Sequence, residues 1–447
     1  MNTPSAPRPV LIPPEFDSSN PFGEDVFSRK QLADRLTGYI DRLRDGCVIA
    51  IDAPWGEGKS WFGRRWAEQL KSQGHKVAYI DAFKHDHVED PFVMVCAEII
   101  NALGSKKAAK VKKSGLKVAK ALAPTALKIG INAVGRLVGT SDICGEVGKA
   151  VEDVSASAAD AAKDYFSKRF EDYEAAKKSV DGFAETLAEA ADAEEKPIII
   201  FIDELDRCRP DFAVRTIERI KHFFDVPKVI FVLLLNRQQL EAAVCGVYGE
   251  KTDAATYLGK FVHLFLRLPK RNSLYQTSQN HSIQYCRHLA RILGFQPTNE
   301  VSNFTETFGT IATLLDFSFR HLERGYTLLA LAGANGEEIS FLAWPVALKV
   351  AEPDIFSGVL LGKAEAHKLA GDLIENKLTQ LQEETTQRDL KMFRDLHRAH
   401  QTESFSHFPE ETTEILKYLN SRVYRFSFRD FSKFLPYWCQ RVDFDID

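Results

Sequence analysis

The chain has 447 residues, of which 45% are hydrophobic and 27% are charged, and its formal net charge is −4. This length and composition predict a protein with a large buried core, and they exclude a disordered chain, a collagen and a small disulfide scaffold. The slightly acidic balance disfavours a globally basic nucleic-acid binder but is compatible with a local basic patch.

The N-terminus and the cysteines both predict a cytoplasmic protein. Residues 1–19 are rich in proline and contain no apolar signal-peptide core, so we expect a flexible N-terminal lead-in there. The seven cysteines are scattered and form no Cys-x-x-Cys pair. We therefore expect reduced thiols and no structural zinc site.

Short apolar segments bounded by polar or turn residues predict five buried strands. These segments are residues 47–53, 76–80, 198–203, 228–235 and 263–268. Helix-like stretches lie between the segments, which predicts an α/β fold with a parallel sheet covered on both faces.

The first predicted strand runs into the sequence Ala-Pro-Trp-Gly-Glu-Gly-Lys-Ser at residues 53–60, and a helix-like run follows. This context is that of a phosphate-binding loop, in which backbone N–H groups and a helix N-terminus face an anion. Ala53 replaces the usual first glycine, which requires a φ below zero at that position. Lys59 is expected to reach the β- and γ-phosphates, and Ser60 to offer its hydroxyl to Mg²⁺. The alternative is a strand–helix turn with a chance lysine.

The connection from the second to the third predicted strand is too long for one crossover helix, so we predict a helical insertion at residues 104–195. Residues 104–139 carry nine Lys or Arg and no acid, whereas the following residues are rich in Ala, Asp and Glu. The two halves can pair with each other, or the basic half can lie on an anionic membrane surface or on nucleic acid. Charges interrupt its apolar residues, so we expect no transmembrane span.

The third predicted strand ends in Asp203 and Glu204, and Asp206 and Arg207 follow. Ligands of open α/β sheets bind at the carboxyl ends of strands, so these acids are expected to face the phosphate site. Asp203 would hold Mg²⁺ and Glu204 would act as general base on water, with Asp206 and Arg207 at the nucleotide. The alternative is a solvated acidic helix start.

The fourth predicted strand ends at Asn236, whose amide could sense the γ-phosphate or could simply cap the next helix. We expect this strand to lie between the phosphate-loop strand and the Asp203 strand. After Pro269 the pattern becomes helical, and we predict a C-terminal helical domain at residues 270–447. On one of its helices, His397 and His400 share a face, but no nearby cysteine supports a metal site.

These motifs resemble the KAP family of P-loop NTPases, named for a neuronal ankyrin-repeat membrane scaffold and plasmid phage-exclusion proteins. The resemblance rests on the Trp-Gly-x-Gly-Lys-Ser loop and on the Asp-Glu-Leu-Asp-Arg-Cys-Arg-Pro signature at residues 203–210. Weaker matches lie at residues 81–84, 217–222 and 257–260. The resemblance implies an ASCE-type P-loop NTPase core at residues 20–269. The nucleotide-binding residues that we predict are Trp55, Gly56, Glu57, Gly58, Lys59, Ser60, Trp61, Asp206 and Arg207.

The family also tends to carry a basic motif after the sheet, and residues 318–324 are similar to it. By resemblance, Arg320 or Arg324 would contact the γ-phosphate, in the same chain or across a subunit contact; ordinary surface arginines are the alternative.

The predicted activity is Mg²⁺-dependent ATP hydrolysis, with ATP favoured over GTP, in a bacterial ATPase that acts in phage or plasmid defence. Two alternatives stay open: a nucleotide-controlled switch or scaffold, and a nucleic-acid-stimulated motor. The partners considered are a second copy of the chain, an effector protein, a membrane surface and nucleic acid.

Overall fold

The computed structural model forms two compact units, Phe16–Leu268 and Pro269–Asp447. The residues that the structure describes are 17–88, 90–103, 108–122, 178–223, 226–270, 280–332, 339, 341–380, 384–404, 408–422, 432 and 434–443. Most of the predicted lead-in and residues 123–177 of the predicted insertion lie outside them.

The first unit is built on a five-stranded parallel sheet. Its strands are β1 (Cys47–Asp52), β2 (Lys76–Asp81), β3 (Ile198–Asp203), β4 (Val229–Leu235) and β5 (Leu264–Arg267). The strand order is β2-β3-β4-β1-β5. The prediction that β4 lies between β1 and β3 is therefore confirmed, and the carboxyl ends of all five strands meet at one edge.

Helices cover both faces of this sheet. They are α1 (Arg29–Ile40), α2 (Lys59–Ser72), α3 (Pro91–Leu103), α4 (Ala108–Leu122), α5 (residues 178–192), α6 (Pro210–Ile220), α7 (Arg237–Tyr248) and α8 (Ala254–Leu258). Short 3₁₀ turns follow β2 at Ala82–His85 and β3 at Leu205–Arg207.

Strand residues alternate between two apolar clusters, one on each face. In β3, Ile198, Ile200 and Ile202 belong to one cluster, while Ile199 and Phe201 belong to the other. Since a strand points successive side chains to opposite faces, a sheet buried on both sides needs apolar residues at every position. This explains why the central strands read as uninterrupted apolar runs.

The described parts of the insertion pack on each other and on the core. Val111 and Val118 of the basic helix α4 are buried, and a Cβ at Gly115 would meet Ile100 and Phe183 of α3 and α5. At the surface, Lys110 of α4 pairs with Glu189 of α5. The apolar side of α4 therefore packs inside the fold, as expected if the basic and acidic halves pair. Among the described helices, none has a run long and apolar enough to cross a membrane.

The described part of the second unit is helical. Its helices are α9 (His281–Ile292), α10 (Asn299–Leu314), α11 (Phe319–Leu331), α12 (Ala343–Ala351), α13 (Pro353–Leu360), α14 (Ala364–Leu378), α15 (Glu384–Thr402), α16 (Glu410–Arg422) and α17 (Phe434–Asp443).

Three histidines of α14 and α15, which we call the histidine cluster, meet inside this unit: His367, His397 and His400. Trp344 donates its indole N–H to Nε2 of His397 at 3.1 Å, so a neutral His397 carries its proton on Nδ1. That Nδ1 lies 3.1 Å from Nδ1 of His367, and the His400 ring stacks on His367 with centroids 4.4 Å apart. Within the described residues, no group of three or more His, Cys, Asp or Glu is arranged to hold a metal ion.

Candidate functional site

The loop after β1 has the backbone of a phosphate-binding loop. Gly56 and Gly58 have φ values of 83° and 78°, where glycine is favoured because it has no Cβ. Gly58 directly precedes α2, so the first N–H groups of that helix stay available to an anion. Ala53 is not among the described residues with positive φ, and its N–H bonds the Leu235 carbonyl at 3.2 Å. Alanine therefore fits the backbone at this position.

Lys59, the first residue of α2, folds its side chain back over the loop. Its Nζ donates to the carbonyl oxygens of Ala53 at 2.6 Å and Pro54 at 3.1 Å. Burial lowers the pKa of Lys59, whereas the charges of Asp206 and Asp203 counteract this effect. The site thus holds a largely buried ammonium beside carboxylates, and a polyphosphate would give it stronger acceptors than backbone carbonyls.

Arg29, a residue that the sequence did not single out, fixes the outer side of the same loop. Its guanidinium extends from the start of α1 and donates to the carbonyl of Glu57 at 2.8 Å and to that of Gly58 at 3.3 Å. Arg29 is 4% exposed and lies over the rings of Phe27 and Trp61, at 5.1 and 5.9 Å. By holding these carbonyls outward, Arg29 favours the orientation in which the loop N–H groups face an anion.

Two further predicted residues, Glu57 and Trp61, lie next to this arginine. Glu57 is buried, and Arg29 bonds its backbone carbonyl. Trp61 packs under the guanidinium of Arg65 at 4.1 Å and edge-on to Phe22 at 6.0 Å. Both residues support the loop, and their contact with a nucleotide stays a prediction.

The residues of β3 and its following turn meet the loop at the same sheet edge. The indole N–H of Trp55, in the loop, donates to the carboxylate of Asp206. The signature also contacts the segment that follows β2, because Arg209 donates to the carbonyl of Asp86 at the end of the 3₁₀ turn Ala82–His85. The two sequence motifs, about 150 residues apart in the chain, are therefore joined directly.

The carboxylate of Asp203 is the most enclosed acid of the site, with 1% of the residue exposed. It accepts hydrogen bonds from the Tyr79 hydroxyl at 2.8 Å and the Glu204 N–H at 2.9 Å, and the nearby Ser60 hydroxyl also favours its charged form. Burial raises its pKa, and these donors offset part of that rise. Ser60 and Asp203 together present hard oxygen atoms of the kind that Mg²⁺ prefers, with phosphate oxygens left to complete a coordination shell.

Glu204 is half-buried, and its backbone is in the left-handed region with φ of 59°. Its Oε2 lies 3.1 Å from Nη1 of Arg207. Burial raises the pKa of Glu204, and the Arg207 charge opposes the rise. A carboxylate with a raised pKa beside a phosphate site is suited to accept a proton from water.

Asn236 directly follows β4 at the same edge, and β4 lies between β1 and β3. Its side-chain oxygen accepts the Gln238 N–H at 3.1 Å and so caps α7, while the Asp52 carboxylate accepts the Arg237 N–H at 2.9 Å. The alternative prediction, that Asn236 caps the next helix, therefore holds for its side-chain oxygen. The amide nitrogen is not used by this cap, and its role at the γ-phosphate stays a prediction.

Arg320 and Arg324 lie on α11 of the second unit, and both are exposed. Their predicted contact with the γ-phosphate stays a prediction.

Comparison with known proteins gives a match to one family model. The model, described as the KAP family P-loop domain, matches residues 29–289, more than half of the chain. No curated protein matches the chain significantly.

Two solved structures of the Aeropyrum pernix ORC2 protein show a loose likeness. The structure described as its ADPNP-ADP complexes is 13% identical with a TM-score of 0.36, and the match covers 90% of this chain and 89% of that chain. The ADP form is 11% identical with a TM-score of 0.35, covering 97% and 96%. TM-scores this low give the likeness no weight for the function of this chain.

Proposed function

Because the chain belongs to the KAP family of P-loop NTPases, we propose that it hydrolyses ATP to ADP and phosphate with Mg²⁺ as cofactor. The observation that carries this proposal is the meeting of the two motifs at one sheet edge. There the indole N–H of Trp55, in the loop, donates to the carboxylate of Asp206, and the Ser60 hydroxyl, at the start of α2, lies close enough to Asp203, at the end of β3, to lower its pKa. This is the side-chain set that phosphoryl transfer needs beside a phosphate-binding backbone.

Ser60 and Asp203 would hold the Mg²⁺ ion, which supplies positive charge to neutralise the phosphate oxygens. The backbone N–H groups of residues 55–60 and the Lys59 ammonium bind the β- and γ-phosphates. These groups act by positioning and electrostatic stabilisation, because the transferred phosphoryl group needs little covalent assistance.

Glu204 accepts the proton of the attacking water, and the water oxygen then bonds to the γ-phosphorus as the bond to ADP breaks. Asn236 orients this water or senses the γ-phosphate through its amide nitrogen. Arg320 or Arg324 adds positive charge at the γ-phosphate, from the same chain or from a second copy.

ATP is the favoured nucleotide, and turnover of ATP against GTP at equal concentration tests this preference.

The change Glu204→Gln tests the activity directly. Glutamine keeps the size of the side chain but accepts no proton, so the turnover number should fall by about 10²- to 10⁴-fold, while ATP still binds. The measurements are phosphate release and equilibrium binding of a fluorescent ATP analogue. Glu68→Gln, on the outer side of α2, is the matched control and should leave both unchanged. Unaltered turnover in Glu204→Gln removes Glu204 as the base.

The biological role that we propose is a cytoplasmic bacterial ATPase acting in phage or plasmid defence, with an effector protein as partner. Support comes from the resemblance to plasmid phage-exclusion proteins. The test is plating efficiency of phage on bacteria that carry the wild-type chain or Glu204→Gln. Equal protection by both chains, or none by either, contradicts an ATPase-dependent defence role.

Two other outcomes point to the alternative functions. A large change of oligomer size between ATP and ADP, with slow turnover, supports a nucleotide-controlled switch or scaffold. Strong stimulation by DNA or RNA supports a motor, and the exposed Lys113 and Lys117 of α4 would be the first candidates for that contact. Binding to anionic vesicles would assign residues 104–139 to a membrane surface.

A further inference from the structure

The phenol of Tyr79 links three elements of the phosphate site. Tyr79 lies on β2, and its hydroxyl donates to Oδ2 of Asp203 on the adjacent strand β3 at 2.8 Å. Arg64, one turn into α2, lies close enough to the same phenol to lower its pKa. Since the Ser60 hydroxyl of α2 also acts on Asp203, side chains of the helix and of the two strands meet at this carboxylate.

The surrounding packing fixes where this phenol can lie. The Tyr79 ring stacks on Phe201 of β3, with centroids 5.6 Å apart and planes 21° apart. Gly63 of α2 lies close to the hydroxyl: an added Cβ there would be 3.3 Å from the Tyr79 oxygen and 2.1 Å from Cδ1 of Leu234. The glycine thus allows α2 to approach the sheet, which brings the phenol and the Ser60 hydroxyl to one carboxylate.

A carboxylate that holds a metal ion works best when its orientation is fixed before the ion arrives. Asp203 has two hydrogen-bond donors: the Glu204 N–H on Oδ1 and the Tyr79 hydroxyl on Oδ2. The first is the backbone N–H of the next residue, which would be present whatever side chain followed Asp203, proline excepted. The second comes from another strand, so it is the contact that sets how the side chain turns relative to α2.

We propose that Tyr79 is a positioning residue of the Mg²⁺ site, which orients the Asp203 carboxylate toward the ion beside Ser60. This inference rests on the proposed function, because it presumes that Asp203 and Ser60 hold Mg²⁺ with a bound nucleotide. Tyr79 contacts neither the nucleotide nor the ion, and it acts through Asp203.

The test is the change Tyr79→Phe, which removes the hydroxyl and keeps the ring on Phe201. Binding of a fluorescent ATP analogue is titrated with Mg²⁺ and repeated in EDTA. Loss of a side chain that orients a metal ligand typically weakens metal affinity by about 10- to 100-fold. We expect the Mg²⁺ concentration for half-maximal enhancement of binding to rise by about tenfold or more, while the affinity in EDTA stays unchanged.

Tyr248→Phe is the matched control, since it removes an exposed hydroxyl from α7, and it should behave as wild type. A second variant, Arg64→Lys, keeps the positive charge that also acts on Asp203 but changes the group beside the phenol, at an exposed position. It should shift the Mg²⁺ dependence in the same direction by a smaller factor, so the test does not depend on Tyr79→Phe folding.

The outcomes separate this inference from the proposed function. A wild-type chain that binds no nucleotide with or without Mg²⁺ overturns both. A wild-type chain that binds with Mg²⁺ dependence, together with folded variants whose Mg²⁺ dependence is unchanged, overturns only the role of Tyr79. An equal loss of affinity with Mg²⁺ and in EDTA also overturns it, because that result indicates a general structural role.

Discussion

The phosphate site of the first unit and the histidine cluster of the second unit both bury ionisable side chains, but they stabilise them differently. At the phosphate site, Lys59 is buried near the carboxylates of Asp203 and Asp206, so opposite charges support one another. In the cluster, the pKa of His367 is about 4 and that of His397 lies well below its usual value, because burial and the other histidines disfavour the charged forms.

The contrast shows which buried groups are prepared for a charged ligand. Burying a charge costs free energy unless opposite charges or hydrogen bonds accompany it. At the phosphate site, nearby opposite charges offset the free-energy cost of burial. Lys59 and the carboxylates therefore stay charged at an open sheet edge, where a polyanion can approach. The histidine cluster avoids the cost because its members stay neutral. A chain of hydrogen bonds runs from Trp344 through His397 to His367.

The largest expected effect comes from removing the buried charge of the phosphate site. Lys59→Ala should weaken ATP binding by at least about 30-fold, because losing one partner of a buried, hydrogen-bonded charge pair costs about 2–5 kcal/mol. Equilibrium binding of a fluorescent ATP analogue measures the effect. Lys71→Ala removes the same charge from the exposed side of α2 and should bind as wild type. Wild-type affinity in Lys59→Ala would show that the loop does not bind the polyphosphate in this way.

An intermediate effect is expected from Arg29, which acts on the loop and not on the ligand. Arg29→Gln removes charge-assisted hydrogen bonds to the carbonyls of Glu57 and Gly58, and such bonds contribute about 1.5–3 kcal/mol. We expect ATP affinity to fall by about tenfold or more and Arg29→Lys to recover part of it.

The control for Arg29 is Arg35→Gln, an exposed arginine of the same helix, which should leave affinity unchanged. Equal affinities of wild type and a folded Arg29→Gln would show that the loop keeps its shape without this contact.

The sequence predicts most of the first unit because its signals are local. The apolar runs predict the strands to within one residue at each end. The placement of β4 between β1 and β3 is different, because it is expected from likeness to ATPases with an added catalytic glutamate and not from any single residue. The loop and the acidic signature each have a spacing that chemistry constrains, so both can be read from consecutive residues.

Residues that hold the site in place from other parts of the chain, such as Arg29 and Tyr79, could not be predicted. Each acts through a contact between segments that are distant in the sequence. Arg29 is 28 residues from the carbonyl of Glu57 that it holds. In the sequence, Tyr79 looks like any aromatic residue of a strand. Only the pairing of β2 with β3 shows that its hydroxyl lies at Asp203. Likewise, His397 and His400 are visible as a pair on one helix, whereas His367 joins them from another helix.

The smallest expected effect is a change in how the free energy of unfolding depends on pH. It tests whether the histidine cluster is neutral in the folded chain. An unfolded histidine takes up a proton near pH 6.5, but folded His367 does so only near pH 4. Between these values the unfolded chain binds more protons, so the free energy of unfolding decreases as the pH falls from 6.5 toward 4. The contribution of neutral His367 to the free energy of unfolding is therefore complete above pH 6.5 and is lost as the pH falls toward 4.

His367→Gln replaces this histidine by an amide that does not titrate. The variant should be less stable at pH 7.5, yet its stability should fall less steeply between pH 6.5 and 4, by a slope of up to about one proton. Urea unfolding at a series of pH values measures both quantities. His87→Gln, which removes an exposed histidine of the first unit, should keep the wild-type slope. If the His367→Gln slope equals that of wild type, His367 is protonated as readily in the folded chain as in the unfolded one, and the cluster does not exclude charge.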